Sequence, residues 1–75
     1  MDKLIKILKD INPDIDYENE KALIDDGFFD SLEIMSIVMD ISENLHVEID
    51  ADDVTADNFN SVESMWKLIS KYKEY

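Results

Sequence analysis

The chain has 75 residues, is 45% apolar, lacks cysteine, and sets 19 acids against 7 basic residues for a net charge of −12 at pH 7. Such a length supports one domain with too little interior to wall a large active site from water, which speaks against an enzyme, and the lack of cysteine removes disulfides and thiolate metal ligands. The apolar share is too high for a disordered chain, and charge of this sign repels nucleic acid and anionic lipid while favouring encounter with basic protein surfaces.

The first helix is predicted from Leu4, Ile5, Leu8 and Ile11 at helical spacing, with Lys3, Lys6 and Lys9 on the other side and Asp2 as its N-cap. Pro13 ends it, because the residue before a proline avoids the α region. Residues 12–30 form a long connection whose apolar anchors are Tyr17, Leu23, Ile24, Phe28 and Phe29. Connections of that length in compact domains are usually functional. Gly27 permits a positive φ that turns the chain just before Ser31.

The second helix is predicted over Ser31–Leu45, with Asp30 at the N-cap and Glu33 at N3 as a capping-box pair. Ile34, Ile37, Val38, Ile41 and Leu45 make one stripe, the core face. Leu32, Met35 and Met39 make a second, narrower stripe at i, i+3 and i+7, and Asp40 and Glu43 complete the surface. Two apolar stripes are unusual on a helix of so small a domain. The second is either more core or a patch for partners, for which methionine suits repacking.

His46-Val47-Glu48-Ile49 follows, then two short turns, one capped by Asp50 ahead of Ala51-Asp52-Asp53-Val54 and one by Thr55 ahead of Ala56-Asp57-Asn58-Phe59. Val54 and Phe59 plug the core. The last helix starts after Asn60 or Ser61 and buries Val62, Met65, Trp66, Ile69 and Tyr72, while Lys67, Lys71 and Lys73 suit the negative end of its dipole.

The charge is unevenly placed. Residues 22–66 hold 12 acids and no lysine or arginine, whereas the remaining 30 residues hold 7 acids and 7 lysines. The segment Asp30-Ser31-Leu32-Glu33 lies inside the anionic stretch. A serine at a helix start is commonly just a capping residue. The sequence speaks against a hydrolytic role: no G-x-S-x-G elbow surrounds Ser31, and His46 lies about four helical turns away. With no base in reach the hydroxyl is a weak nucleophile. A helix N-terminus does favour a phosphodiester attached there, so Ser31 reads as a substrate for modification by another enzyme.

The acids Asp50, Asp52, Asp53 and Asp57 lack the central glycine and terminal glutamate of an EF-hand loop and read as a solvated capping region. His46 suits a helix C-terminus better than a metal. Met1-Asp2-Lys3-Leu4 opens no signal-peptide h-region and no apolar run approaches the ~20 residues of a membrane span, so a cytoplasmic monomer is expected.

Gly27-Phe28-Phe29-Asp30-Ser31-Leu32-Glu33 resembles the 4′-phosphopantetheine attachment motif of acyl carrier proteins, whose core is Asp-Ser-Leu. The resemblance covers nearly the whole chain, including Val47-Glu48-Ile49, the segment Val54 to Val62 and the final helix. It implies an all-α four-helix bundle with a short third helix, and a carrier with no catalysis of its own. It implies phosphopantetheine on Ser31, installed from coenzyme A by a phosphopantetheinyl transferase, with cargo held as a thioester for acyl- or aminoacyl-loading and transfer enzymes. Their basic surfaces would meet Asp30, Leu32, Glu33, Met39 and Glu43, joined by Met35 of the second stripe. Met35 and Ser36 depart from the fatty-acid type, which often has an acid there, and the segment between Ile49 and Phe59 is slightly longer. The first implies a partner set other than that of fatty-acid synthase, and the second resembles stand-alone carriers of specialised pathways. A D-alanyl or peptidyl carrier is the alternative within the family, and an unmodified acidic interaction domain the alternative outside it.

Overall fold

The computed structural model of the protein describes residues 2–73 and is all-helical across them. Four α-helices follow in order: α1 Asp2–Ile11, α2 Ser31–Leu45, α3 Ala56–Phe59 and α4 Val62–Lys73, with a 3-10 turn at Ala51–Asp53. The expected bundle with a short third helix is thus observed. Helix α1 packs on α2 and α4, and α3 packs on α4.

Asp2 lies inside the first turn of α1, where an acid still suits the positive end of the dipole, so it is not the N-cap expected. Leu4, Ile7 and Leu8 are the buried residues of α1; Ile5 and Ile11 flank the core half-buried. Contact with both α2 and α4 centres the buried stripe between two neighbours, and Ile7 falls on that line.

The connection from 12 to 30 is bound to the core along much of its length. Ile15, Tyr17, Leu23 and Phe29 are buried, whereas Phe28, expected as an anchor, is exposed. Phe28 and Phe29 lie in a bend between the Gly27 turn and α2, and only Phe29 turns inward. Its ring is stacked on Tyr17 at 6.4 Å between centroids. The Tyr17 hydroxyl lies 2.8 Å from the Leu8 carbonyl and 2.7 Å from that of Asn12, tying the connection to the end of α1.

Ile37, Ile41 and Leu45 carry the core face of α2, while Ile34 and Val38 are only half-buried. In α4 the buried set is Val62, Met65, Leu68 and Ile69; Trp66 and Tyr72, expected inside, are half-buried at its edges. Both carry a polar atom that favours an edge position. The Tyr72 hydroxyl uses it to donate to Asp53 and to accept the Asp50 N–H. Asp50 and Thr55 cap their turns as expected, accepting the N–H groups of Asp52 and Asn58. Phe59 plugs the core and Val54 packs half-buried against it.

Candidate functional site

Local chemistry sets the place of Ser31. Residues 22–26 make a single helical turn, in which the Asp26 N–H donates to the Ala22 carbonyl at 2.8 Å. The turn closes with two bonds of the Schellman type, from Phe28 N–H to Leu23 C=O at 3.0 Å and from Gly27 N–H to Ile24 C=O at 3.1 Å. Gly27 takes the left-handed conformation this closure requires, with φ +77°. The chain then bends through Phe28 and Phe29 and enters α2 at Asp30, which is extended at φ −88° and ψ −179°.

Asp30 caps α2 as the sequence predicts. Its Oδ1 accepts the Glu33 N–H at 2.8 Å, and Glu33 Oε1 accepts the Asp30 N–H at 3.2 Å. Ser31 is therefore the first helical residue, exposed, with its own N–H and that of Leu32 outside the helix's internal bonding. The two acids beside it turn their carboxylates onto backbone donors. Glu33 is half-buried and faces two ways, since its charge helps burial push the Tyr17 hydroxyl up to about 12.

His46 is the C-cap of α2 in the left-handed conformation, with φ 58°. Fifteen residues of helix separate it from Ser31, roughly 22 Å at the helical rise. The hydroxyl thus has no imidazole to activate it.

The outer face of α2 is apolar beside the serine. Leu32, Met35 and Met39 are 77%, 63% and 60% exposed, and the exposed Phe28 stands just ahead of them in the chain. The second stripe is a free surface and no part of the core. Asp30 and Glu43 are exposed along the same helix, and Asp40 is half-buried. Of the six residues expected to meet partners, five are exposed and Glu33 is half-buried; Asp30 and Glu33 are both engaged in the cap.

One feature of the site escapes a one-helix reading. Ile34, Met35, Val38 and Met39 line a groove of about 280 Å³ whose other wall is Ile49, Ala51 and Val54. Ile34 and Val38, assigned from spacing to the core, are half-buried because they border it. The faint signal is the apolar Ile49, Ala51 and Val54 beside a helix with a surplus of apolar residues. The wall is held by Tyr72, whose hydroxyl bonds Asp50 at the N-cap of the 3-10 turn and Asp53 at its last residue. That contact raises the Tyr72 hydroxyl above its ordinary value, chiefly through the hydrogen bond to Asp53.

Comparison with known proteins adds one relative. Over 54 residues, 72% of this chain and 67% of the other, the sequence is 39% identical to a curated protein of Buchnera aphidicola subsp. Baizongia pistaciae (strain Bp) named acyl carrier protein. No family model matches the chain, and no solved structure does. Identity at that level across so much of both sequences, on a four-helix frame, shows that this chain belongs to the acyl carrier protein family and is a carrier.

Proposed function

We propose that the protein holds acyl intermediates as thioesters on a 4′-phosphopantetheine arm attached to Ser31 and delivers them to partner enzymes. The observation that carries this reading is the exposed Ser31 at the head of a capped helix, in the Asp30-Ser31-Leu32 context of a carrier family. Attachment forms a bond from Ser31 Oγ to the phosphorus of phosphopantetheine. It breaks the bond to the nucleotide half of coenzyme A and releases the hydroxyl proton to the transferase. This chain supplies an accessible oxygen, and the transferase supplies the base. The N–H groups of Ser31 and Leu32 favour the phosphodiester that results. The arm, when present, provides the thiol that bears cargo.

The docking surface in this reading is the outer face of α2. Asp30 and Glu43 steer a basic partner, while Leu32, Met35 and Met39 give it an apolar seat. Asp30 and Glu33 contribute charge while each also holds a bond of the cap. Tethering keeps the cargo at high effective concentration once docking has occurred. The groove beside Met35 and Met39 fits an apolar chain better than an aminoacyl group, since its lining is almost wholly apolar. This favours acyl cargo over the D-alanyl or peptidyl alternative.

Intact mass after incubation with coenzyme A and a promiscuous phosphopantetheinyl transferase tests the attachment. The chain should gain ~340 Da, and Ser31→Ala should stay folded and gain nothing. Equal labelling of Ser31→Ala would remove the assignment and leave an unmodified acidic interaction domain.

A further inference from the structure

Three successive N–H groups that open the turn ahead of Ser31, those of Leu23, Ile24 and Asp25, are taken by one residue from far along the chain, while that of Ala22 finds the nearby Glu20 carboxylate. The Asn60 carbonyl accepts the Leu23 N–H at 2.9 Å, and Asn60 Oδ1 accepts both the Ile24 and Asp25 N–H groups at 3.0 Å. Asn60 Nδ2 donates to Asp25 Oδ2 at 3.0 Å. A helix start normally finds its cap in the residue just before it. Here the cap comes from the junction between α3 and α4.

We propose that Asn60 is a positioning residue for the modification of Ser31. By capping the turn at Leu23–Asp26 it fixes the direction in which Gly27–Asp30 offers the serine to the transferase. The proposal rests on Ser31 being the attachment point.

A lone helical turn is unstable in water, because its nucleus fixes several dihedrals for one hydrogen bond. This turn needs partners from outside. Leu23 is fully buried, but apolar contact is non-directional and leaves the turn free to rotate. The Lys21–Glu63 ion pair is exposed, and such pairs contribute little. Asn60 alone supplies several directed bonds from the body of the molecule. The direction is then passed on without slack, since the Gly27 and Phe28 amides are locked to carbonyls of the same turn. Only Phe29 and Asp30 remain before the serine.

The chemistry asks for an amide. One oxygen takes two N–H groups while the NH₂ reaches a carboxylate. Aspartate would keep the acceptors but set a second negative charge against Asp25. Pairing Asn60→Asp with Asp25→Asn restores one amide and one carboxylate with the roles exchanged.

The experiment follows transferase labelling with coenzyme A and amide hydrogen exchange in the wild type, Asn60→Ala, Asn60→Asp, and Asn60→Asp with Asp25→Asn. Ile69→Val, a core change in α4, serves as a destabilised control. In Asn60→Ala the Ile24 and Asp25 amides should lose protection while those of Ile37 and Ile41 in α2 keep it. The KM for the carrier should rise about fivefold with kcat little changed, the shift expected when loss of a cap lowers the competent fraction. The exchanged pair should recover both readouts relative to Asn60→Asp, and Ile69→Val should leave KM unmoved. Should Asn60→Ala fail to fold, Asn60→Ser, with its shorter acceptor, is read in its place. Unchanged KM or unchanged exchange at Ile24 and Asp25 overturns the role of Asn60 alone. A wild-type chain that takes no label overturns the Ser31 reading and this proposal with it.

Discussion

Replacing Tyr17 with phenylalanine removes a single oxygen at the point where the long connection meets the bundle. The hydroxyl sits within bonding distance of two carbonyls, those of Leu8 and Asn12, but it has one hydrogen to donate. The loss is therefore counted as one shared hydrogen bond. The Leu8 carbonyl keeps the Asn12 N–H at 2.8 Å, and the Asn12 carbonyl is close enough to the surface to take water. The net cost should be about 1–1.5 kcal/mol. A domain of this size has roughly 4–11 kcal/mol in total, so the melting temperature should fall by about 5–10 °C. The stack on Phe29 survives, because the ring remains.

The change also has a pH signature. Burial, aided by the charge of Glu33, raises the Tyr17 hydroxyl to about 12, against about 10 in the unfolded chain. A proton held more tightly in the folded state gives stability that is whole below pH 10 and is lost as pH climbs toward 12. Tyr17→Phe should lack that contribution, leaving the smaller alkaline slope of Tyr72. Thermal melts by circular dichroism at pH 7, 10 and 11 read both effects. A melting temperature within about 2 °C of the wild type at pH 7, or an alkaline slope as steep as before, would refute the reasoning.

Glu43→Lys, at an exposed position, should slow transfer by a basic partner at low salt, with the gap narrowing as the Debye length falls to about 8 Å near 0.15 M; association rates indifferent to the reversal at every ionic strength place docking elsewhere. Glu33→Lys mixes two effects, because it also breaks the capping box at a cost of about 1 kcal/mol, so Glu33→Gln is the cleaner probe and should melt close to wild type. Gly27→Ala meets no atom within 4 Å of the added carbon, so its cost is confined to a backbone at φ +77° and should be about 1–2 kcal/mol by chemical denaturation; an unshifted midpoint would show that the turn relaxes.

What could be read from the sequence was local or periodic. Helix α2 was legible at its start because Asp30 and Glu33 form a cap with fixed spacing, and along its length because the apolar stripe keeps helical spacing as far as Leu45. Gly27 was legible because few other residues accept its conformation. The exposure of Leu32, Met35 and Met39 was legible as a second stripe but not as a surface, since spacing says which residues share a face and nothing about what covers it. In the connection no period exists, so the choice between Phe28 and Phe29, and the burial of Ile15, depended on where the stack with Tyr17 would fall. In α4 the assignment of Trp66 and Tyr72 to the core ignored their polar atoms, and Leu68 took the inner place. The groove and the reach of Asn60 join residues far apart in sequence, and no single stretch of chain records them.

The bonds that hold the turn before the serine span 35 and 36 residues of chain. Chains are made from the N-terminus, so Ser31 and the whole of α2 leave the ribosome well before Asn60 does. For that interval the helix has its local cap, and the segment leading to it has no fixed direction. A nascent or truncated chain ending before residue 60 has the serine without the bonds that hold the turn ahead of it, and on the roles proposed for Ser31 and Asn60 it should take the label more slowly than the whole chain.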